Sequence, residues 1–562
     1  MSEIILGIDL GTTNSEVAVI IDGKPRLLQI DGSSLVPSVV AMNQEGETLI
    51  GQMAVNYEMS DPENTMRCIK RKMGKEETLL MQGKAFSPSM ISSTILSYLK
   101  NAAEQIYGPI TKAVITVPAF FTEQQRQATR ISGELAGLEV VRLLNEPTAA
   151  ALAYSLGKRH KELSLVYDLG GGTFDVSIID LSEGIMEVLA SDGDVSLGGS
   201  DFDQLIAHKV QQDFLTTHGI DLKEDPFSWN RILRAAEAAK IRLSTEAEAE
   251  ILEEFIAEKD GIPLHIKNTI TRTAFEHMIR PALDKTILSV QRALRQAGCT
   301  AESLDKVILV GGSTYIPLVS ELLEQELHIA PQAWIDPELV VAEGAAIEGA
   351  MIAGESLGTV MLDIVSHSVG IDVHDDWEQT KYAILIRKNS KLPCVASRLF
   401  YRFHHLQQQV KIVVRQGDAT NYEDNKILDT FILGGLQESD ELEICVKLEM
   451  DRSGILRVTA TDVALGKHAS IEIHNQNKER VTTANLENLQ MSKTSPSHVQ
   501  IAPSATRKEE AIAVDEELIE RAHALLQDNE LDADIQQEIQ SAIKQAQQGD
   551  ATLLGELLCY IE

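Results

Sequence analysis

VYDLGGGTFDVSIID, residues 166–180, sets an acid, three consecutive glycines, a threonine and a second acid inside an apolar run. Near the N-terminus LGIDLGTTNSEVAVI, residues 6–20, writes a related turn. Aligning Asp9-Leu10-Gly11 with Asp168-Leu169-Gly170 also aligns the apolar tails that follow. In each copy a strand delivers a carboxylate to a tight turn, where glycine lets the backbone approach a ligand closely. Successive N–H groups in such a turn form an anion-binding concavity. Thr12 and Thr13 in one copy, and Gly171, Gly172 and Thr173 in the other, add hydroxyls and bare amides. Two such hairpins facing each other would hold phosphates between them, with Asp9 and Asp168 around a cation. Magnesium suits them, since it keeps most of its waters and takes carboxylates. One copy alone is as easily an unrelated glycine turn. The duplication is what favours a clamp.

The chain has 562 residues, 44% of them apolar, which is enough for about three or four globular domains. A formal charge of -34 argues against nucleic acid or an anionic membrane as partner, because both reward clustered Lys and Arg. Cys68, Cys299, Cys394, Cys445 and Cys559 are scattered, odd in number and without CxxC spacing. Neither a disulfide framework nor a zinc site is expected, and a reducing compartment fits. No apolar run reaches the roughly 18 residues of a membrane span. MSEIILGIDLG lacks a basic leader and enters a strand at once, so no signal peptide is expected and the cytoplasm is the default.

Through residue 356 the text alternates short β-branched runs with helical stretches, the signature of α/β architecture with buried sheets. Residues 357–364 form a short apolar connector. From 365 to 477 short alternating segments are divided by Gly, Asn and Asp turns. In LEICVKLEM, for example, Leu442, Ile444, Val446, Leu448 and Met450 share a face. An antiparallel sheet domain with one buried face follows. Residues 478–510 read as flexible linker, and 511–562 as a small helical bundle, with Leu518, Ala522 and Leu525 on one stripe and Ile535, Ile539 and Ile543 on another.

Gly311-Gly312-Ser313 makes a third glycine turn after a buried strand, a place suited to phosphate or ribose at a helix start. Neither a GxxxxGK[ST] loop nor a GxGxxG fingerprint occurs, which disfavours P-loop and Rossmann sites. Glu146 opens a helix before Pro147. It is either a capping-region acid or a carboxylate that orients metal-bound water. By itself Lys70, in NTMRCIKRKMG, reads as a surface lysine of a basic cluster.

GIDLGTTNS, VITVPAFF, QRQATR, NEPTAAALAY, DLGGGTFDVS, LGGSDFD, ILVGGST and GAAIEGAMIAG occur in order at suitable spacing. Together they resemble the seventy-kilodalton heat-shock chaperone family, the DnaK-like proteins, over about residues 4–475. A short segment after Lys70 and a reduced C-terminus bring the resemblance closer to its divergent bacterial HscC type. The resemblance implies an actin-like ATPase domain of duplicated halves, a β-sandwich that binds peptides, and a short helical C-terminal subdomain. It also implies ATP or ADP with Mg2+, and K+ as a further ion. Gly11, Thr12, Thr13, Asn14, Gly170, Gly171, Gly172 and Thr173 would cradle the phosphates. Asp9, Glu146 and Asp168 would hold hydrated magnesium. Asp175 would lie near the attacking water, and Lys70 would become a catalytic lysine meeting the γ-phosphate, with Thr173 beside it.

By the same resemblance Glu237, Lys240 and Ser244 contact adenosine, with Gly311, Gly312 and Ser313 completing that side. Tyr315 departs from the family's usual stacking arginine. Val360, Met361, Leu362 and Asp363 form the interdomain linker, and Pro118, Arg126 and Arg142 couple the domains or receive a J-domain co-chaperone. Ile371, Phe400, Phe403, Val410 and Ile412 would line the peptide groove. The polar stretch MSKTSPSHVQIAPSATRK stands where a long lid helix normally begins, so a weak lid and fast peptide exchange are expected. The implied protein is a monomeric, cytoplasmic, ATP-driven chaperone for unfolded client peptides, active in folding and stress, with the need for an exchange factor left open. A sugar-kinase-like phosphotransferase and a non-hydrolysing nucleotide-switched scaffold are the competing classes.

Overall fold

The computed structural model describes residues 3–502, except 157–160, 183, 332–335, 356–359, 375–379, 403–404, 437–442, 465, 467 and 473–495. Phe403, the start of the linker and the helical bundle expected at 511–562 lie outside the described residues.

Two sheets repeat one plan. In the first, strand Ile5–Leu10 pairs in parallel with Lys112–Val117 and antiparallel with Asn14–Ile21. Lys24–Ile30 then adds to Asn14–Ile21, and Glu139–Asn145 closes the far side. In the second, strand Glu162–Leu169 pairs in parallel with Lys306–Val310 and antiparallel with Phe174–Ser182, to which Ile185–Asp194 adds. Each Asp-Leu-Gly therefore ends a central, largely buried strand, consistent with the continuous apolar runs around it.

Helix Val340–Ile352 packs against the first sheet and against helix Glu146–Ser155. The fit is tight. A Cβ on Gly7 would lie 2.0 Å from the Ala346 nitrogen, and one on Gly344 would lie 1.8 Å from the Ala149 carbonyl oxygen.

Residues 365–472 form two four-stranded antiparallel sheets, ordered Thr380–Ile386, Val369–His374, Gln409–Gln416, Lys426–Gly434 and Cys394–Tyr401, Glu443–Met450, Leu456–Asp462, His468–Glu472. Ile444, Val446, Leu448 and Met450 point into the shared core with Val414, Val458 and Ala460, as their alternation requires.

Two short strands from outside the first 356 residues extend these sheets. Val360–Leu362 runs parallel to Ile185–Asp194 at the edge of the second. Val499–Ile501 runs antiparallel to Lys24–Ile30 at the edge of the first. The second departs from the flexible linker expected over 478–510. Its alternation spans only three residues, too few to register as a strand in sequence, and its pairing partner lies far away along the chain.

Candidate nucleotide site

The two Asp-Leu-Gly turns meet in the cleft between the halves. A Cβ on Gly171 would sit 2.0 Å from Thr13 Oγ1, and one on Gly172 would sit 2.5 Å from Thr12 Cγ2. These glycines are therefore needed for space. Behind them, the Gly199 and Ser200 amides donate to the Gly170 and Gly171 carbonyls at 3.0 and 2.8 Å, and Ser313 Oγ donates to the Gly170 carbonyl at 2.9 Å. Arg71 ties the halves together, donating to the Gly172 carbonyl at 2.9 Å and to Asp201.

Between the halves lies a small cleft of about 80 Å³ that opens to solvent. Asp9, Gly11, Thr12, Thr13, Asn14, Lys70, Glu146, Asp168, Gly170, Gly171, Thr173, Gly311 and Gly312 line it. Lys70 is no surface residue. It is 4% exposed on a turn entered through left-handed Cys68 (φ 53°), and its Nζ reaches Glu146 Oε1 at 2.5 Å. Burial opposes its charge, but Glu146, Asp9 and Asp168 outweigh that and hold the ammonium above its ordinary range.

The acids outnumber this one ammonium. Burial, then Asp9, push Glu146 up to about 7 despite Lys70. Burial and neighbouring acids hold Asp168 and Asp175 well above the usual carboxylate range. A surplus of buried hard oxygens is the donor set that a hydrated divalent cation would balance. Among the described residues no three acids, histidines or cysteines converge as a ready-made set of direct ligands. Magnesium, held largely through its waters, needs no such convergence.

Sequence reading missed several members. Thr116 donates to Asp9. Glu16 stands opposite Asp9 across the strand pair, as Asp175 stands opposite Asp168. It lines the cleft, is 2% exposed, and leaves Oε2 without a partner. The shared spacing of seven residues, Asp9 to Glu16 and Asp168 to Asp175, was the available signal. Glu338, also on the cleft wall, carried none.

Glu237, Lys240 and Ser244 follow one face of helix Pro226–Leu243 and its cap, apart from the phosphate cleft. Lys240 pairs with Asp203 at 2.9 Å and approaches the Gly199 carbonyl at 3.3 Å, so the helix abuts the loop that supports the glycines. Glu237 lines an adjoining cavity with Thr12, Thr13, Arg67 and Cys68. Tyr315 is 47% exposed, and its hydroxyl donates to Asp336 at 3.1 Å.

The family model for the Hsp70 protein matches residues 5–553. The chain belongs to the Hsp70 family. Members of that family are ATPases and ATP-dependent chaperones that use magnesium nucleotides, which is the chemistry the paired turns, the buried lysine and the acid surplus accommodate. No described helix is long and apolar enough to cross a membrane.

Of the coupling residues expected for an Hsp70, Arg126 lies at the contact between the first half and the sandwich. Arg126 donates to Asn145 Oδ1 at 2.6 Å, to the Ala119 carbonyl at 3.1 Å and to the Ser453 carbonyl of the sandwich at 3.5 Å. Asn145 in turn donates to the Asp363 carboxylate at 2.9 Å. Pro118 is buried in the loop before Ala119, and Arg142 pairs internally with Glu348. Met361 is buried against the core beneath the second sheet while Val360 is 60% exposed. On the sandwich, Ile371 and Ile412 are buried in the core between the sheets. Phe400 and Val410 are half-buried at its margin.

Proposed function

We propose that this chain is an ATP-driven peptide-binding chaperone in which the cleft's nucleotide state is transmitted to the sandwich through residues 118–126 and 360–367. One residue carries the reading. The Phe120 amide donates to Asp175 Oδ1 at 3.0 Å, on the strand beside Asp168 of the cleft, and the Phe120 carbonyl accepts from His367 Nε2 at 3.0 Å, at the start of the sandwich. Next to it, the Ala119 carbonyl accepts from Ser366. A shift of Asp175 on γ-phosphate loss therefore moves a peptide group that holds the other domain.

Bound magnesium would neutralise phosphate charge. The chain's own groups do the rest. The paired turns present amides and hydroxyls to the phosphates, Lys70 offers a fixed positive charge where negative charge develops, and Asp175 orients the water. Client segments would add as an extended strand with apolar anchoring near Phe400 and Val410. A J-domain co-chaperone is the proposed partner class, supported by family membership, and a cytoplasmic monomer the proposed setting.

ATP turnover of the full chain with and without an apolar peptide tests the proposal. Stimulation by peptide, with Lys70→Ala lowering turnover by about 10²–10³-fold while ATP still binds, is expected. Unchanged turnover in Lys70→Ala, or phosphoryl transfer to a sugar without any peptide effect, overturns it.

A further inference from the structure

The third strand of each half has an outer edge, and each edge is taken by a three-residue strand from elsewhere in the chain. These edges are equivalent positions in the two repeats. On the second half the occupant is the linker. On the first it is the segment 496–502, which leaves no role for itself in nucleotide chemistry.

That segment is held by more than the ladder. The Asp31 amide donates to the His498 carbonyl, and the Ala502 amide to the Leu27 carbonyl, both at 2.8 Å. The Ser497 and His498 amides both donate to Asp31 Oδ1 at 3.0 Å, while Tyr98 fixes the other oxygen of that carboxylate at 2.8 Å. Gln105 Nε2 donates to the Pro496 carbonyl at 3.0 Å, and Gln500 to Gln29 at 2.7 Å. Val499 packs on the core of the first half.

All these partners, residues 27–31, 98 and 105, belong to one half. The linker differs. Val360–Leu362 pairs with the second half, and the next residue, Asp363, binds Asn145 of the first. A movement of one half against the other must change the linker's contacts and leaves those of 496–502 intact. A ligand that makes no differential contact shifts no equilibrium.

We propose that the edge of strand Lys24–Ile30 is a docking edge for an extended segment, that its occupant is this chain's own 496–502, and that this clip stays closed in every nucleotide state. The sandwich is then tied to the ATPase domain at both its ends, by a switchable strand on one half and a constant one on the other. The switching half of this contrast rests on the proposed function, and the constant half does not.

Two full-length variants test it, Gln29→Cys/Gln500→Cys across the clip and Ile185→Cys/Val360→Cys across the linker, with disulfides mapped by peptide mass spectrometry. The clip pair is expected to close intramolecularly with yields within about twofold in ATP and in ADP with apolar peptide. A yield several-fold lower in either state, a disulfide between two copies, or none at all overturns the clip. Hydrogen exchange of the unsubstituted chain reads the same point, because the Asp31 and Ala502 amides should be equally protected in both states, and loss of protection in one overturns it. If instead only the linker pair fails to respond to nucleotide, the clip stands and the proposed switching falls.

Discussion

In the first half the Asp-Leu-Gly acid faces Glu16, and in the second the corresponding acid faces Asp175. The second-half partner is wired outward, because its carboxylate takes the Phe120 amide that leads to the sandwich. The first-half partner ends in the cleft with one oxygen unpartnered. The same division recurs at the sheet edges, where the second half receives the linker and the first receives a segment whose hydrogen bonds stay within it. On the proposed reading, one repeated motif serves as a signalling half and a holding half. A duplicated backbone does not dictate duplicated roles, since each role depends on what packs against the copy.

The contrast can be broken at several points. The largest effect is expected at the second-half acid. Asp175→Asn should lower turnover by about 10²-fold and abolish peptide stimulation, whereas Glu16→Gln should change turnover by less than about threefold. Equal losses in single-turnover assays would erase the difference between the halves. Next comes the glycine pair. Gly171→Ala forces a Cβ into Thr13 and should weaken nucleotide binding by tenfold or more, about 1.4 kcal/mol. At Gly170 the nearest atom to a Cβ is 3.7 Å away, and Gly170→Ala should bind nearly as well by calorimetry.

Docking of the sandwich on the first half should depend on pH. Glu123 accepts from the Leu456 amide of the sandwich at 3.2 Å, and burial pushes its carboxyl up to about 8. Undocked and solvated, it returns toward its ordinary 4.5. Docking therefore takes up a proton. The contribution is complete below about 4.5, weakens about tenfold per pH unit through the interval, and is lost as pH passes about 8. Interdomain fluorescence transfer from pH 6 to 9 should report this slope, and Glu123→Gln should flatten it. An unchanged slope in that variant would remove Glu123 from the interface energetics.

The smallest effect concerns stability. Burial and Asp9 hold the Glu16 carboxyl above its ordinary range, so its contribution is present at low pH and lost as pH rises. Glu16→Gln should accordingly stabilise the fold at pH 8 by of order 1 kcal/mol and by less at pH 5.5, read from thermal melts. Destabilisation at pH 8 would mean that the ionised acid has a favourable partner.

The Asp-Leu-Gly repeat, the apolar strands that carry it, the glycines and the alternation of Ile444 to Met450 were legible in the sequence. They depend on local rules: strand period, burial on both faces, and the absence of a side chain where two backbones meet. Lys70 stood at the limit, since nothing in NTMRCIKRKMG distinguishes a buried lysine from a surface one until Glu146 is brought to it. Ile371 and Ile412 show the reverse case, apolar strand residues whose pattern suits a groove and a core equally. Only the tertiary structure decided that they are buried, that Glu16 faces Asp9, that Phe120 bridges cleft and sandwich, and that Val499–Ile501 completes a sheet edge. Each of these depends on contacts between segments far apart in the chain. Such contacts are set by packing and by the hydrogen bonds that an open edge leaves unmade, and neither is written in the local pattern of residues.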